Sequence, residues 1–321
     1  MQPKVSLGAP ATGPLRGVRV ADFSAIFSGP IAGSMLADQG ADVIKVEAFQ
    51  GDMMRTGLPQ SGGMASAFTT MNRNKRALCV NLRTPEGKDI ARKLIRSADV
   101  VLENFRPGVM DRLGLGYDTV SADHPKLVYA SINGVGASGP YANRRVYDAV
   151  IQAISGFADL RPDGTPEMVN NLVCDKITSL TAAEAIVAAL FNAERTGQGQ
   201  KVDISMLDAA ISFLWPDTMH NFTFMSEEIE SVPPLDHSVF LNATKDGWVA
   251  TMPVQDAEFQ GLFRALQRAD LLEDPRFIDV PSRQANRLEL RALMDHAYRQ
   301  FDTDELCVGF EAEDVPYSKI N

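Results

Sequence analysis

Short apolar runs alternate with helical stretches from residue 17 to residue 206, and few folds accept that order. Gly17-Val-Arg-Val-Ala-Asp-Phe reads as a strand. Ser28-Gly-Pro-Ile-Ala-Gly is a turn that places Pro30 near a helix N-terminus, where its missing N–H is harmless. The helix at 32–39 is stopped by Gly40, and Ala41-Asp-Val-Ile-Lys-Val-Glu follows as a second strand. Strand, helix and strand in this order make a parallel crossover. Further strands are expected at 78–82, 99–104, 127–133 and 201–206, with a helix at 85–98 and a long Ala-rich helix over 176–200. The pattern predicts an α/β fold whose core is a doubly wound, mostly parallel, Rossmann-like sheet. Ligands of such sheets bind beyond the carboxyl ends of the strands. Four post-strand segments, 24–33, 47–55, 103–108 and 133–140, are therefore expected to line one crevice.

Residues 1–206 are read as the large domain and 236–321 as a smaller α+β domain. Residues 207–235 are assigned as the linker; they include a helical stretch at 207–222 and the acidic, Pro-broken Ser226-Glu-Glu-Ile-Glu-Ser-Val-Pro-Pro. In the small domain a hairpin over 239–252 turns at Lys-Asp-Gly, and helices follow near 255–268 and 282–300. The final Val315-Pro-Tyr-Ser-Lys-Ile-Asn carries no evident element.

Composition excludes several classes. A formal net charge of −10 argues against general nucleic-acid binding. No apolar run approaches the roughly 18 residues of a membrane span, and the N-terminal stretch has no hydrophobic signal core, so a cytoplasmic location and no membrane partner are expected. Cys79, Cys174 and Cys307 form no CxxC pair, and the four histidines show no metal-binding spacing, so no metal is assigned. The first strand–helix turn, Ser28-Gly-Pro-Ile-Ala-Gly, is not GxGxxG, so a dinucleotide site is not supported, and there is no GxxxxGK[ST]. Basic residues cluster at 73–96, with eight Lys or Arg against two acids. Either an anionic ligand or a solvated helix face with i,i+4 pairs such as Asp89–Lys93 would explain this cluster. Arg73, Lys75 and Arg76, just before a strand, point more towards a ligand.

Asp175 sits where a loop enters the Ala-rich helix. Free N–H groups and the positive end of the helix dipole keep a carboxylate there ionised. A carboxylate held out of water is a nucleophile towards an activated acyl group. Equally, Asp175 would serve as a helix cap.

A series of segments decides between these readings. Leu15-Arg-Gly-Val-Arg-Val-Ala-Asp-Phe with Ser28-Gly-Pro, and Gly40-Ala-Asp-Val-Ile-Lys-Val-Glu with Gly51-Asp, open it. Asn72-Arg-Asn-Lys-Arg, Leu82-Arg-Thr-Pro-Glu-Gly and Ala98-Asp-Val-Val-Leu-Glu-Asn-Phe-Arg-Pro-Gly continue it, and Gly134-Val-Gly-Ala-Ser-Gly-Pro-Tyr, Tyr147-Asp-Ala-Val and Thr196-Gly-Gln-Gly-Gln-Lys-Val-Asp-Ile complete it. In this order they resemble the class III coenzyme A transferases, the family of formyl-CoA transferase, carnitine CoA-transferase and α-methylacyl-CoA racemase. The resemblance is strong over residues 15–215. It implies that Asp175 is a covalent nucleophile passing CoA from an acyl-CoA thioester to a carboxylic acid. It also implies no permanently bound cofactor, with coenzyme A and acyl-CoA as substrates, and an interlocked homodimer. Ile26 and Phe27 are placed by the resemblance at the thioester end, and Lys75, Arg76 and Arg83 by the nucleotide phosphates. Asn104, Phe105 and Arg112 fall by the pantetheine and adenine-phosphate region. On residue chemistry alone, Phe105 would equally be core and Arg112 a surface pair. Asp148 would tune Asp175, hold an acceptor, or be a solvated helix-start acid. Backbone N–H groups over 134–139 are candidate oxyanion donors.

Departures from the family narrow the expectation. Tyr147 stands where the racemases carry a histidine base, and a phenol is a poor proton exchanger at neutral pH. Transfer is therefore favoured over the alternatives, a racemase or epimerase of the same fold and a non-catalytic CoA-thioester-binding protein. Phe27 replaces the glutamine of oxalate-specific members, and residues 230–245 lack their glycine run. A phenylalanine beside the thioester favours an acyl group larger or more apolar than formyl or oxalyl. Family members usually carry a last segment that returns to the large domain, and Val315-Pro-Tyr resembles the point where that return begins.

Overall fold

The computed structural model describes residues 11–160, 164–226 and 240–320. The chain forms two compact units, divided between residues 227 and 228.

The first unit is built on a six-stranded sheet. Its elements are β1 (Arg19–Asp22), α1 (Ser28–Asp38), β2 (Asp42–Glu47), β3 (Arg76–Cys79), α2 (Pro85–Arg96), β4 (Val100–Glu103), β5 (Val128–Asn133), α3 (Asp148–Ser155), α4 (Val173–Thr196), β6 (Lys201–Ser205) and α5 (Met206–Thr218). The strand order is β6-β5-β4-β1-β2-β3 and all the pairings are parallel. The order reverses between β1 and β4, so the ligand crevice belongs outside their carboxyl ends. Strands β1, β4 and β5 are buried on both faces, as Val20, Ala21, Val101, Leu102, Val128 and Tyr129 illustrate. That burial explains why they read as continuous apolar runs. Helices α1 and α4 pack over one face with Leu36, Ala182, Ile186 and Ala189, while Ala91 and Ile95 of α2 cover the other.

Several expectations shift. The long helix begins at Val173 rather than 176, so Asp175 lies inside it; Leu172 is the N-cap, and its own side chain makes no capping hydrogen bond. The linker assigned to 207–235 cannot start at 207, because α5 packs on the first unit through Met206, Leu207 and Ala210. Residues 227–235 fall outside the described residues, as does most of the stretch where a glycine run was sought.

The second unit has an antiparallel sheet of β7 (Leu241–Ala243), β8 (Trp248–Thr251) and β9 (Tyr317–Lys319). Helices α6 (Asp256–Ala265), α7 (Arg287–Tyr298) and α8 (Thr303–Ala312) bring Phe263, Met294, Tyr298 and Phe310 to its core, and Phe277 joins them from the connection between α6 and α7. A reciprocal capping box between Gln255 and Glu258 starts α6. The expected hairpin is present. The final segment, read as featureless, is a strand: Tyr317 pairs with Thr251 and Lys319 with Val249.

Candidate active site

At the β1/β4 reversal a cavity of about 360 Å³ is lined by Ile26, Phe27, Ser28, Asn104, Phe105, Arg106, Asn133, Gly134, Arg144, Arg145, Tyr147 and Asp175, among others. Three of the four expected post-strand segments meet here. The fourth, 47–55, supports the site from behind: Asp52 Oδ2 accepts the Ile26 N–H at 3.2 Å.

Asp175 is the meeting point of three helices. Its backbone N–H donates to Asp148 Oδ2 at 2.9 Å, so the first residue of α3 caps α4 from outside. Its own carboxylate does not cap α4. It faces Ser28 instead, the first residue of α1, whose Oγ and backbone N–H favour its ionised form. A carboxylate against a helix N-terminus is favoured by the exposed N–H groups and the helix dipole. Ser179 Oγ, one turn along α4, lies 2.7 Å from both the Ser28 and the Asp175 carbonyl oxygens and locks the two helix starts together.

Burial dominates the electrostatics, and the Asp148 charge adds to it; together they push the Asp175 carboxyl up to about 6, against the polar groups of Ser28, which favour the charged form. The ionised form expected from the sequence therefore still prevails at neutral pH, by a narrower margin than a helix terminus alone would give. Asp148 is not a solvated acid. It is 2 % exposed, accepts from Gln152 Nε2 at 2.6 Å, and faces Asp175 through its second oxygen. Tyr147, the α3 N-cap, is 64 % exposed on the cavity rim.

Ile26, Phe27, Asn104, Phe105, Tyr147 and Asp175 are brought together; the expected phosphate-binding cations are not. Lys75 is turned inward. Its Nζ, with the side chain 1 % exposed, donates to Asp22 Oδ2 (2.8 Å), the Pro30 carbonyl (2.7 Å) and Asn72 Oδ1 (3.0 Å). An ammonium has three N–H donors, and all three are committed. Arg76 forks onto Asp42 at 2.8 and 2.7 Å, and Arg73 pairs with Asp38. The three cations that pointed most towards a ligand are thus matched by three aspartates of β1, β2 and α1. Asp89–Lys93 forms the expected i,i+4 pair at 2.8 Å. Arg83, ahead of α2, and Arg112, in the short helix Val109–Leu113, are exposed and line neither of two neighbouring cavities.

The sequence reading missed Ser28 as a partner of Asp175, and Arg106, Arg144 and Arg145 as cavity residues. It also named the whole stretch 134–139 as donors. Gly134 lines the cavity, but the Gly136 N–H is taken by Asn133 Oδ1 at 2.6 Å. Gly134 has a packing reason to be glycine, since a Cβ there would lie 2.0 Å from Val146 Cγ2. Among the described residues no group of His, Cys, Asp and Glu is placed to hold a metal, and no helix is long and apolar enough to cross a membrane.

The chain is 35% identical over 320 residues to succinate–glutarate CoA-transferase of Agrobacterium fabrum, covering 96% of this chain and 80% of that protein. It is 35% identical over 295 residues to acetyl-CoA:oxalate CoA-transferase of Acetobacter aceti, covering 89% and 75%. A crystal structure of a CAIB/BAIF family protein from Brucella suis superposes with a TM-score of 0.82 at 35% identity, covering 96% of this chain and 84% of that one. The hypothetical protein Rv3272 of Mycobacterium tuberculosis gives a TM-score of 0.86 at 31% identity, covering 97% and 85%. The family model described as CoA-transferase family III matches residues 15–321, and this chain belongs to that family.

Proposed function

We propose that the protein moves coenzyme A from an acyl-CoA thioester to a carboxylic acid through a covalent intermediate on Asp175. The observation that carries this reading is a half-buried carboxylate on the wall of the switch-point cavity, faced by Ser28 and with its pKa raised to about 6. The Asp175 carboxylate attacks the thioester carbonyl carbon. The C–S bond breaks, leaving an aspartyl mixed anhydride and CoA thiolate. The thiolate attacks the aspartyl carbonyl, the donor acid leaves as its carboxylate, and an aspartyl-CoA thioester remains. An acceptor carboxylate then displaces thiolate to form the second anhydride, and the thiolate returns to the acceptor's carbonyl, freeing Asp175. Each bond made matches one broken, and no redox partner or net proton is required. A carboxylate suits the task because each intermediate stays activated.

The roles of the remaining residues follow their positions. Asp148 fixes the Asp175 backbone and raises its basicity. The Ser28 donors lie against Asp175, and the Gly134 backbone faces the same space for the tetrahedral stages. Ile26, Phe27 and Phe105 give the pantetheine and acyl portions apolar walls. Arg106, Arg144 and Arg145 line the same cavity and suit anionic groups; Arg83 and Arg112 remain candidates for nucleotide phosphates. The substrates we propose are an acyl-CoA whose acyl group exceeds formyl or oxalyl in size and a small carboxylic acid. The names of relatives acting on succinate and glutarate support an acid with a short apolar middle. The proposed setting is a cytoplasmic homodimer. Transfer of CoA among a panel of acyl-CoAs and acids, followed by chromatography of the thioesters, tests the reading. Asp175→Ala is expected to bind acyl-CoA and transfer nothing; retained turnover, or a preference for oxalate, contradicts it.

A further inference from the structure

The loop between β1 and α1 is anchored more heavily than a surface connection requires. Ser24 N–H donates to Asp22 Oδ1 at 2.9 Å, and its carbonyl accepts from Lys45 Nζ at 2.8 Å. Asn104 takes both polar groups of Ala25, the N–H at 2.8 Å and the carbonyl at 2.7 Å. The Ile26 N–H goes to Asp52 Oδ2, the oxygen that also pairs with Lys45 Nζ at 3.1 Å. The Lys45 and Asp52 side chains are 2% and 1% exposed. Asp52 is itself fixed: its N–H donates to Glu47 Oε1, and its Oδ1 accepts from the Met54 N–H, each at 2.9 Å.

What this anchoring holds is a strained residue. Ile26 has φ +74°, the left-handed region. For a β-branched side chain that is a true outlier, which persists only where the surroundings over-determine it. Two residues later Ser28 opens α1 beside Asp175, and Ser179 Oγ, 2.7 Å from both of their carbonyl oxygens, ties the two turns together. Ile26 and Phe27 reach the cavity from the same bend. Packing leaves little slack, since a Cβ on Gly29 would lie 2.2 Å from Ser24 Cβ.

We propose that the buried Lys45–Asp52 pair is a positioning unit for the reaction: by fixing Ile26 in the left-handed conformation it aims Ser28 at Asp175 and sets the apolar wall of the cavity. A buried ion pair is weak evidence of stabilisation, because desolvation offsets its Coulombic gain; fixing a reactive geometry gives such a pair a function. Neither side chain lines the cavity, so both act through the loop. The proposal rests on Asp175 being the nucleophile.

The test is Asp52→Asn, which keeps the shape and one acceptor for the Ile26 N–H but removes the charge facing Lys45. The readouts are kcat, KM, and the single-turnover rate of acyl-CoA labelling at Asp175 followed by peptide mass spectrometry. The expected result is a fall in labelling rate and kcat of about 10- to 100-fold, with KM for acyl-CoA changed by less than about threefold. Adding Ile26→Gly, which adopts positive φ without an anchor, is expected to restore part of the labelling rate. An unchanged labelling rate overturns the proposal, as does a loss confined to KM or one equal to the unfolded fraction seen by circular dichroism. If Asp52→Asn does not fold, Lys45→Met carries the same test. Wild-type protein that turns over without labelling Asp175 defeats the nucleophile reading, and the proposal with it; normal wild-type labelling with normal Asp52→Asn labelling defeats the positioning role alone.

Discussion

Replacing the proposed nucleophile with its neutral isostere should make the protein more stable while ending its activity. Burial and the neighbouring Asp148 carry the Asp175 carboxyl from an ordinary 3.8 to about 6. A tenfold change in an equilibrium is worth about 1.4 kcal/mol, so keeping that group charged at pH 7 costs the fold about 3 kcal/mol at most. The side chain is only partly buried, and solvent screening reduces the figure to about 1–2 kcal/mol. Asp175→Asn removes the cost and retains an oxygen to accept from Ser28. For a unit of this size the gain corresponds to a rise in Tm of roughly 2–8 °C. The sign with pH is fixed by linkage. The folded state favours protonated Asp175, so the group's stabilising contribution is complete below about pH 4 and is lost as pH rises through about 6. The advantage of Asp175→Asn should therefore be full at pH 8, smaller at pH 5 and absent below pH 4. Urea titrations of both proteins across that range measure it. A variant that is less stable at pH 8, or whose advantage does not depend on pH, would refute the assignment of a desolvated, like-charge-destabilised carboxylate.

Two further expectations follow from the same geometry. Lys75→Ala should destabilise the first unit by about 3–5 kcal/mol by leaving Asp22 charged, buried and unpaired, which urea unfolding would detect; a variant of normal stability with weakened CoA binding would return Lys75 to the phosphate site. Asp148→Asn removes the charge beside Asp175 while keeping an acceptor for its N–H. The acid limb of the kcat/KM profile should then move to lower pH by about half to one unit, and a move to higher pH would contradict the arrangement.

The strands of the large sheet were legible because their buried faces leave unbroken apolar runs between Gly and Pro punctuation. The position of Asp175 was legible through the family resemblance, and its burial was not. Ser28 reads locally as one more serine before a Gly-Pro; its partner lies on a helix far along the chain, and no local pattern announces such a pairing. Lys75 misled for a related reason. Lysine is seldom fully buried, so a lysine inside a basic run reads as surface, and only the folded sheet brings Asp22, at the end of β1, to its ammonium. The left-handed Ile26 was invisible because glycine, not isoleucine, is the usual sign of positive φ. Strand β9 has three residues on a sheet edge, too few for alternation to emerge. Arg106, Arg144 and Arg145 became site residues only when three strand ends converged.

Peptide mass spectrometry of the protein quenched after mixing with acyl-CoA tests the central claim most directly. The account predicts a hydroxylamine-sensitive coenzyme A or acyl adduct on the peptide containing Asp175, absent from Asp175→Asn. Turnover with no adduct at that residue, or an adduct that survives the substitution, would contradict it.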